Sequence, residues 1–172
     1  MGKRELKKYL IDLGKTELTK IILDTYSNNK DAKEYLDYIV SPNEKEQFLK
    51  AKKIIEEEYF PEKTFPPKSR LSVAKKAIRD FSRLNPSPER EAELLIFLVE
   101  QGCEFTNEYG DMEESFYESM ENNFERALKF MHKHDLLEKF KEDAENCLEL
   151  ASVCGYGFYD ELVDIFFRFY DG

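Results

Sequence analysis

The sequence predicts an all-α protein of about nine helices, stacked as antiparallel hairpins in a bundle or short solenoid, with residues 1–172 forming one domain. Three observations carry that prediction. Helix breakers are sparse, with seven glycines and six prolines in 172 residues, and each costs roughly 1 kcal/mol (Gly) or 3 kcal/mol (Pro) inside a helix, so they fall between helices. Apolar residues recur at three- and four-residue spacing, and no stretch alternates as a strand does. Helix starts repeat along the chain, as Asp or Asn followed three residues later by Glu.

Taken in order, the helices are expected at about 3–13, 16–27, 32–40, 44–59, 73–84, 88–108, 112–133, 136–153 and 158–170. Capping pairs at Asp31/Glu34, Asn43/Glu46, Asp111/Glu114 and Asp135/Glu138 would open four of them. In each, a side-chain oxygen accepts from an orphan first-turn N–H while the Glu reaches back. Ser87-Pro88 marks a fifth start, because proline at the first helical position loses no hydrogen bond. Stops are expected at Gly14, Ser41-Pro42, Pro61, Asn85-Pro86, Gly110 and Gly155. Core stripes are read at Phe48, Ala51, Ile55 and Tyr59; at Val73, Ala77, Ile78, Phe81 and Leu84; and at Leu162, Ile165, Phe166 and Phe169. The segment Pro61–Arg70 holds Pro61, Pro66 and Pro67 and is the best internal sub-boundary, read as an ordered connector.

Residues 111–127 match residues 135–151 at an offset of 24, with Asp111/Asp135, Glu114/Glu138, Phe116/Phe140, Glu118/Glu142, Glu121/Glu145, Asn122/Asn146, Glu125/Glu149 and Ala127/Ala151 identical. The matched Glu residues point away from the apolar stripe, which makes a solvated acidic face of them rather than a buried carboxylate metal site.

Composition and charge bound the function. The longest apolar run, Leu94–Val99, falls far short of the roughly 20 residues that cross a bilayer, and residues 1–14 carry cations without an apolar signal region. The three thiols, Cys103, Cys147 and Cys154, sit in apolar helical stretches and read as core residues of a reducing compartment, the cytoplasm. Net charge is −10, but residues 1–84 hold 19 Lys and Arg against 14 Asp and Glu, and the remainder holds 7 against 22. Either the halves attract each other or one of them meets a charged partner.

No reaction is named by any motif. His132 and His134, two apart on a helix, point in opposed directions and cannot share a metal as an i, i+4 pair does. No nucleophile elbow, phosphate loop or zinc spacing occurs, so no cofactor, no metal and no catalytic residue is assigned. Two regions stand out instead. Lys75, Lys76, Arg79 and Arg83 share one face of the helix near 73–84, with Arg70 just before it. Such a face grips an acidic partner or phosphates, and the net charge favours a protein over nucleic acid. Glu104, Asn107, Glu108, Tyr109 and Asp111 cluster where one helix ends and the next begins, a place that suits a small ligand or a reaction. The leading reading is a non-catalytic protein–protein interaction module, with oligomeric state open. Nucleic-acid association through the basic face and a ligand or enzyme site near 104–111 are the alternatives.

The segments Lys3–Leu10, Arg70–Ile78, Glu104–Asp111 and Gly155–Phe158 resemble those of a family of small bacterial proteins of unknown function. The likeness spans nearly the whole chain. It implies a cytoplasmic bacterial protein with one helical domain, and it carries over no activity, ligand or catalytic residue.

Overall fold

Helix propensity and apolar spacing act together in a computed structural model that describes residues 2–171. Among these residues there are nine α-helices and no strand: α1 (Lys3–Ile11), α2 (Lys15–Asn28), α3 (Lys30–Val40), α4 (Glu44–Tyr59), α5 (Leu71–Ser82), α6 (Pro88–Tyr109), α7 (Glu114–Lys133), α8 (Lys141–Ala151) and α9 (Phe158–Tyr170). The all-α expectation holds, and most boundaries lie within two residues of those read from the sequence. One expected helix differs. The stretch 136–153 divides into a 3₁₀ turn, Glu138–Phe140, followed by α8, because the backbone leaves helical geometry at Phe140 (φ −107°, ψ 18°); Asp135, in a left-handed conformation (φ 57°), lies just ahead of the turn.

The start signals were right about place more often than about mechanism. Ser87 precedes Pro88 at the first turn of α6, yet its hydroxyl donates to Glu44 Oε1 at 2.7 Å instead of capping its own helix. The cap of α3 is Asn29, whose Oδ1 accepts from Ala32 N at 2.9 Å, so Asp31 lies inside the first turn. Asp111 and Asp135 cap nothing, since Glu113 and Phe140 occupy the N-cap positions of α7 and α8. The 24-residue repeat is thus one of helix faces, not of start geometry. Ala127, Phe140 and Ala151 are buried and Phe116 is half-buried, whereas Glu118, Asn122 and all the matched polar residues of α8 are exposed.

The chain forms two units, residues 1–43 and 44–172. In the first, α2 and α3 pack on each other. The Tyr26 hydroxyl donates to Asp37 Oδ1 at 2.9 Å, and the Lys33 ammonium lies 5.5 Å from the Tyr26 ring centre. No described residue of this unit is buried.

The second unit is built around α6, which packs against α4, α5, α7 and α8, while α9 closes on α7 and α8. Ala92, Leu94, Leu95, Ile96, Leu98, Val99, Gly102, Cys103 and Phe105 of α6 are all buried. A helix apolar around most of its circumference belongs at the centre of a core, and the run Leu94–Val99 is that signature. The predicted stripes take part: Phe48, Ala51, Ile55 and Tyr59 of α4, Ala77, Ile78 and Phe81 of α5, and Leu162, Ile165 and Phe166 of α9 are buried, as is Leu84 beyond α5. Val73 and Phe169 are only partly covered.

The Pro61–Arg70 loop lies within this second unit and is held at its far end. Ser69 N donates to Glu58 O at 2.7 Å, and Arg70 grips the Glu58 carboxylate through Nη2 at 2.6 Å, Nε at 2.9 Å and its backbone N at 3.1 Å. Phe65 leans on the Tyr109 ring. These contacts join the loop to α4 and α6.

Candidate functional site

An amphipathic helix that buries Ala74, Ala77, Ile78 and Phe81 turns its other side to water, and in α5 that side is cationic. Lys76 and Arg79 are exposed and Lys75 is half-buried. Asp80 lies on the same face, where it takes an ion pair from Lys76 one turn before and another from Arg83 Nη1 at 3.5 Å. Exposed pairs of this kind are weak, about 0.3–0.5 kcal/mol, and they leave an excess of positive charge. Arg70 is committed elsewhere, to Glu58, whose carboxyl is held below the usual carboxylate range by the Arg70 hydrogen bonds. The five cations of the basic segment thus separate into one structural clamp, Arg70, and four along the outer side of α5 and its end, of which Lys76 and Arg83 pair with Asp80.

Folding adds a residue to this face that sequence spacing had no means of supplying. Arg126, on α7, lies close enough to Lys75 to disfavour its charge; burial is the larger cause lowering the Lys75 pKa and the Arg126 guanidinium the second. Two acidic residues of the rear half pair with other cations: Glu93 with Lys52 at 3.6 Å and Arg90 at 2.9 Å, and Glu125 with Lys129 at 2.9 Å and Arg168 at 3.2 Å.

The turn Glu104–Asp111 is divided by the structure into supports and exposed groups. Asn107 Nδ2 donates to Leu150 O at 3.0 Å, which ties α6 to the last turn of α8. Asp111 accepts from the Tyr117 hydroxyl and from Gly155 N at 3.1 Å, and these two bonds lower its pKa. Tyr117 also packs on Tyr156 and Phe158, at centroid distances of 5.7 and 5.0 Å. The segments 104–111 and 155–158 therefore meet, although 44 residues separate Asp111 from Gly155. A side chain at position 155 would press on the Asp111 carboxylate, 2.5 Å from the ideal Cβ, so any other residue there makes that carboxylate shift from its present bonds.

Tyr109 joins an aromatic group with Phe60, Phe65 and Phe105, its ring 4.9 Å from that of Phe105. Glu104, which accepts from Gln101 Nε2 at 2.6 Å, and Glu108 remain on the surface. They line a shallow groove of about 340 Å³ with Phe60, Asn107 and Leu150. A neighbouring groove of about 430 Å³ between α4 and α6 is lined by Lys52, Lys53, Glu56, Glu57, Phe97 and others, and Phe60 borders both. Acids and lysines alternate in it, with Lys52 laid on the Phe97 ring at 4.4 Å.

The remaining chemistry-bearing residues act as packing. Cys103 and Cys147 are buried and Cys154 is partly so, with its Sγ 3.1 Å from Thr106 Oγ1. Burial pushes all three thiols up, an inert state rather than a nucleophilic one. His132 meets Phe169, and His134 lies on Phe130 with 4.5 Å between ring centres. Among the described residues, no three His, Cys, Asp or Glu side chains converge as metal ligands, and no helix is long and apolar enough to cross a membrane.

No curated protein and no solved structure matches the chain. A family model does: it is described as a family of unknown function (DUF6155) and matches residues 1–156, which include α1 to α8, the α5 face and the Asp111–Gly155 contact. With nine-tenths of its length matched, the chain belongs to that family.

Proposed function

We propose that the protein is a non-catalytic helical module of the bacterial cytoplasm that binds an acidic segment of another protein through the cationic face of α5. The observation that carries this reading is a reversal of sign. On a chain of net charge −10, Lys75, Lys76, Arg79 and Arg83 face outward, with Arg126 drawn in beside Lys75. Holding a half-buried ammonium beside a guanidinium is unfavourable, and an anionic partner placed over both offsets that cost. The rest of residues 44–172 is acidic and repels such a partner, which steers it within that unit to this face.

Pull-down from native lysate tests the proposal by comparing the wild type with a variant carrying Lys75→Glu, Lys76→Glu, Arg79→Glu and Arg83→Glu, after circular dichroism has shown that the variant is folded. The expected result is capture that weakens with salt and is lost in the variant. A folded variant that retains every partner refutes the reading. The same face would also take phosphates, so a mobility shift of nucleic acid at low salt, falling steeply as salt is raised, would put nucleic acid in the partner's place.

A further inference from the structure

Residues 1–43 present a problem that their sequence poses and the fold of the unit does not solve. Their helices α1, α2 and α3 have 9, 14 and 11 residues, lengths at which isolated helices are marginal in water, below about 12–15 residues. Tertiary packing has to hold them. Yet no described residue among them is buried, and nine large apolar side chains stay 36–86% exposed: Leu6, Tyr9, Ile11, Ile21, Ile22, Leu23, Tyr35, Ile39 and Val40. In α3, Ala32, Tyr35, Leu36, Ile39 and Val40 follow the spacing of a core-facing stripe, and the stripe ends in the two most open β-branched residues of the helix, Ile39 at 53% and Val40 at 86%. Units of about 40 residues usually need oligomerisation, disulfides or a metal to complete a core.

We infer that this unit pairs with the same unit of a second copy of the chain, the α2–α3 hairpins associating as a four-helix arrangement. Charge selects that occupant. Residues 1–43 carry eight Lys and Arg against seven Asp and Glu, a net +1, whereas residues 44–172 carry 18 against 29, a net −11. Two near-neutral units meet without repulsion, while two bodies of −11 each keep apart, so copies join through the first unit and not the second. A strongly charged partner finds little field to recognise on a unit of +1; an identical unit brings the same apolar stripe, and a two-fold axis lets one patch serve both sides. A standard interface takes about 800 Å² from each partner, a little over half of it apolar, and the open apolar side chains of α2 and α3 would supply the apolar part.

Sedimentation velocity on the full chain from ~1 to ~100 µM is the first test, with a dimer expected in this range. The variant Ile39→Lys/Val40→Lys places cations in the last turn of α3, where they suit the helix end, and is expected to weaken dimerisation about 100-fold or more. Lysine cross-linking of a mixture of ¹⁴N and ¹⁵N chains supplies a measurement that does not depend on the variant. Mixed-isotope links among Lys15, Lys20, Lys30 and Lys33 are expected. A wild type that is monomeric throughout, whatever else its first unit then binds, overturns the inference. So does a dimer that Ile39→Lys/Val40→Lys leaves intact, or one whose mixed-isotope links lie within residues 44–172.

Discussion

Gly102 sits in the middle of the 22-residue α6, where glycine is the wrong residue on propensity alone. Replacing it with alanine should stabilise an unhindered helix by about 0.8–1.0 kcal/mol. The structure predicts the opposite sign. A Cβ at position 102 would press into the Met120 side chain of α7, meeting Sδ inside van der Waals distance with Cγ and Cε each 3.1 Å away. Met120 is 0% exposed, so its end cannot swing into solvent and has to rotate within the core. Overpacking of that kind costs about 1–3 kcal/mol, which leaves Gly102→Ala destabilised by roughly 0–2 kcal/mol after the propensity gain. The diagnostic measurement is a double-mutant cycle. Met120→Ala alone should lose about 2–5 kcal/mol by opening a cavity, and in the double variant the new methyl enters that space. The double variant should therefore be more stable than additivity predicts by about 1–3 kcal/mol. Urea unfolding followed by far-ultraviolet circular dichroism measures all four stabilities, with constant m-values as the check on a common reference. If Gly102→Ala proves more stable by about 1 kcal/mol and the cycle is additive, the close α6–α7 approach is not what keeps glycine there.

Two further outcomes follow from carboxylates that their surroundings shift, Glu58 buried and Glu100 half-buried. Glu58 has its pKa lowered by Arg70, so its contribution is present above the unfolded-state value and is lost as pH falls through the folded one. Glu58→Gln should accordingly lower stability at neutral pH and lose less of what remains on acidification than the wild type does; identical acid-unfolding curves would contradict this. Glu100 has the reverse sign, its pKa raised chiefly by burial despite the 3.0 Å bond from Asn146. Glu100→Gln should raise stability at neutral pH, with the gain fading as the wild-type carboxyl takes up its proton. Among the thiols, only Cys154 is partly exposed. A disulfide reagent should thus label that one, slowly, in the native protein and all three in denaturant, and rapid labelling of Cys103 or Cys147 without unfolding would disprove the buried placement.

Local signals were read correctly where neighbours in sequence decide the outcome. The stripe Phe48, Ala51, Ile55, Tyr59 needs only helical spacing and an apolar face, and the Ser87-Pro88 start needs only the missing proline N–H. The cap pairs Asp111/Glu114 and Asp135/Glu138 failed for two reasons: a carboxylate can bond a hydroxyl or a distant backbone N–H in place of first-turn N–H groups, and a left-handed residue does not have the extended backbone of an N-cap. Asp111 goes to Tyr117 and Gly155, and Asp135 bends the chain ahead of a 3₁₀ turn. The candidate ligand turn is likewise divided by contacts from α7, α8 and the 155–158 segment, which no local pattern announces.

The sequence by itself determined that the chain is helical, where its helices run, which faces are apolar and that α5 carries a cationic side, because propensity, spacing and charge act within a few residues. Only the tertiary structure decided which charges pair and which surfaces remain. It set Arg70 on Glu58, brought Arg126 near Lys75, joined Asp111 to Gly155 and left the described residues 2–43 without a buried side chain. Each of these depends on helices remote in sequence being packed at one place, and the energy that selects the packing comes from the core as a whole rather than from the residues it happens to bring together.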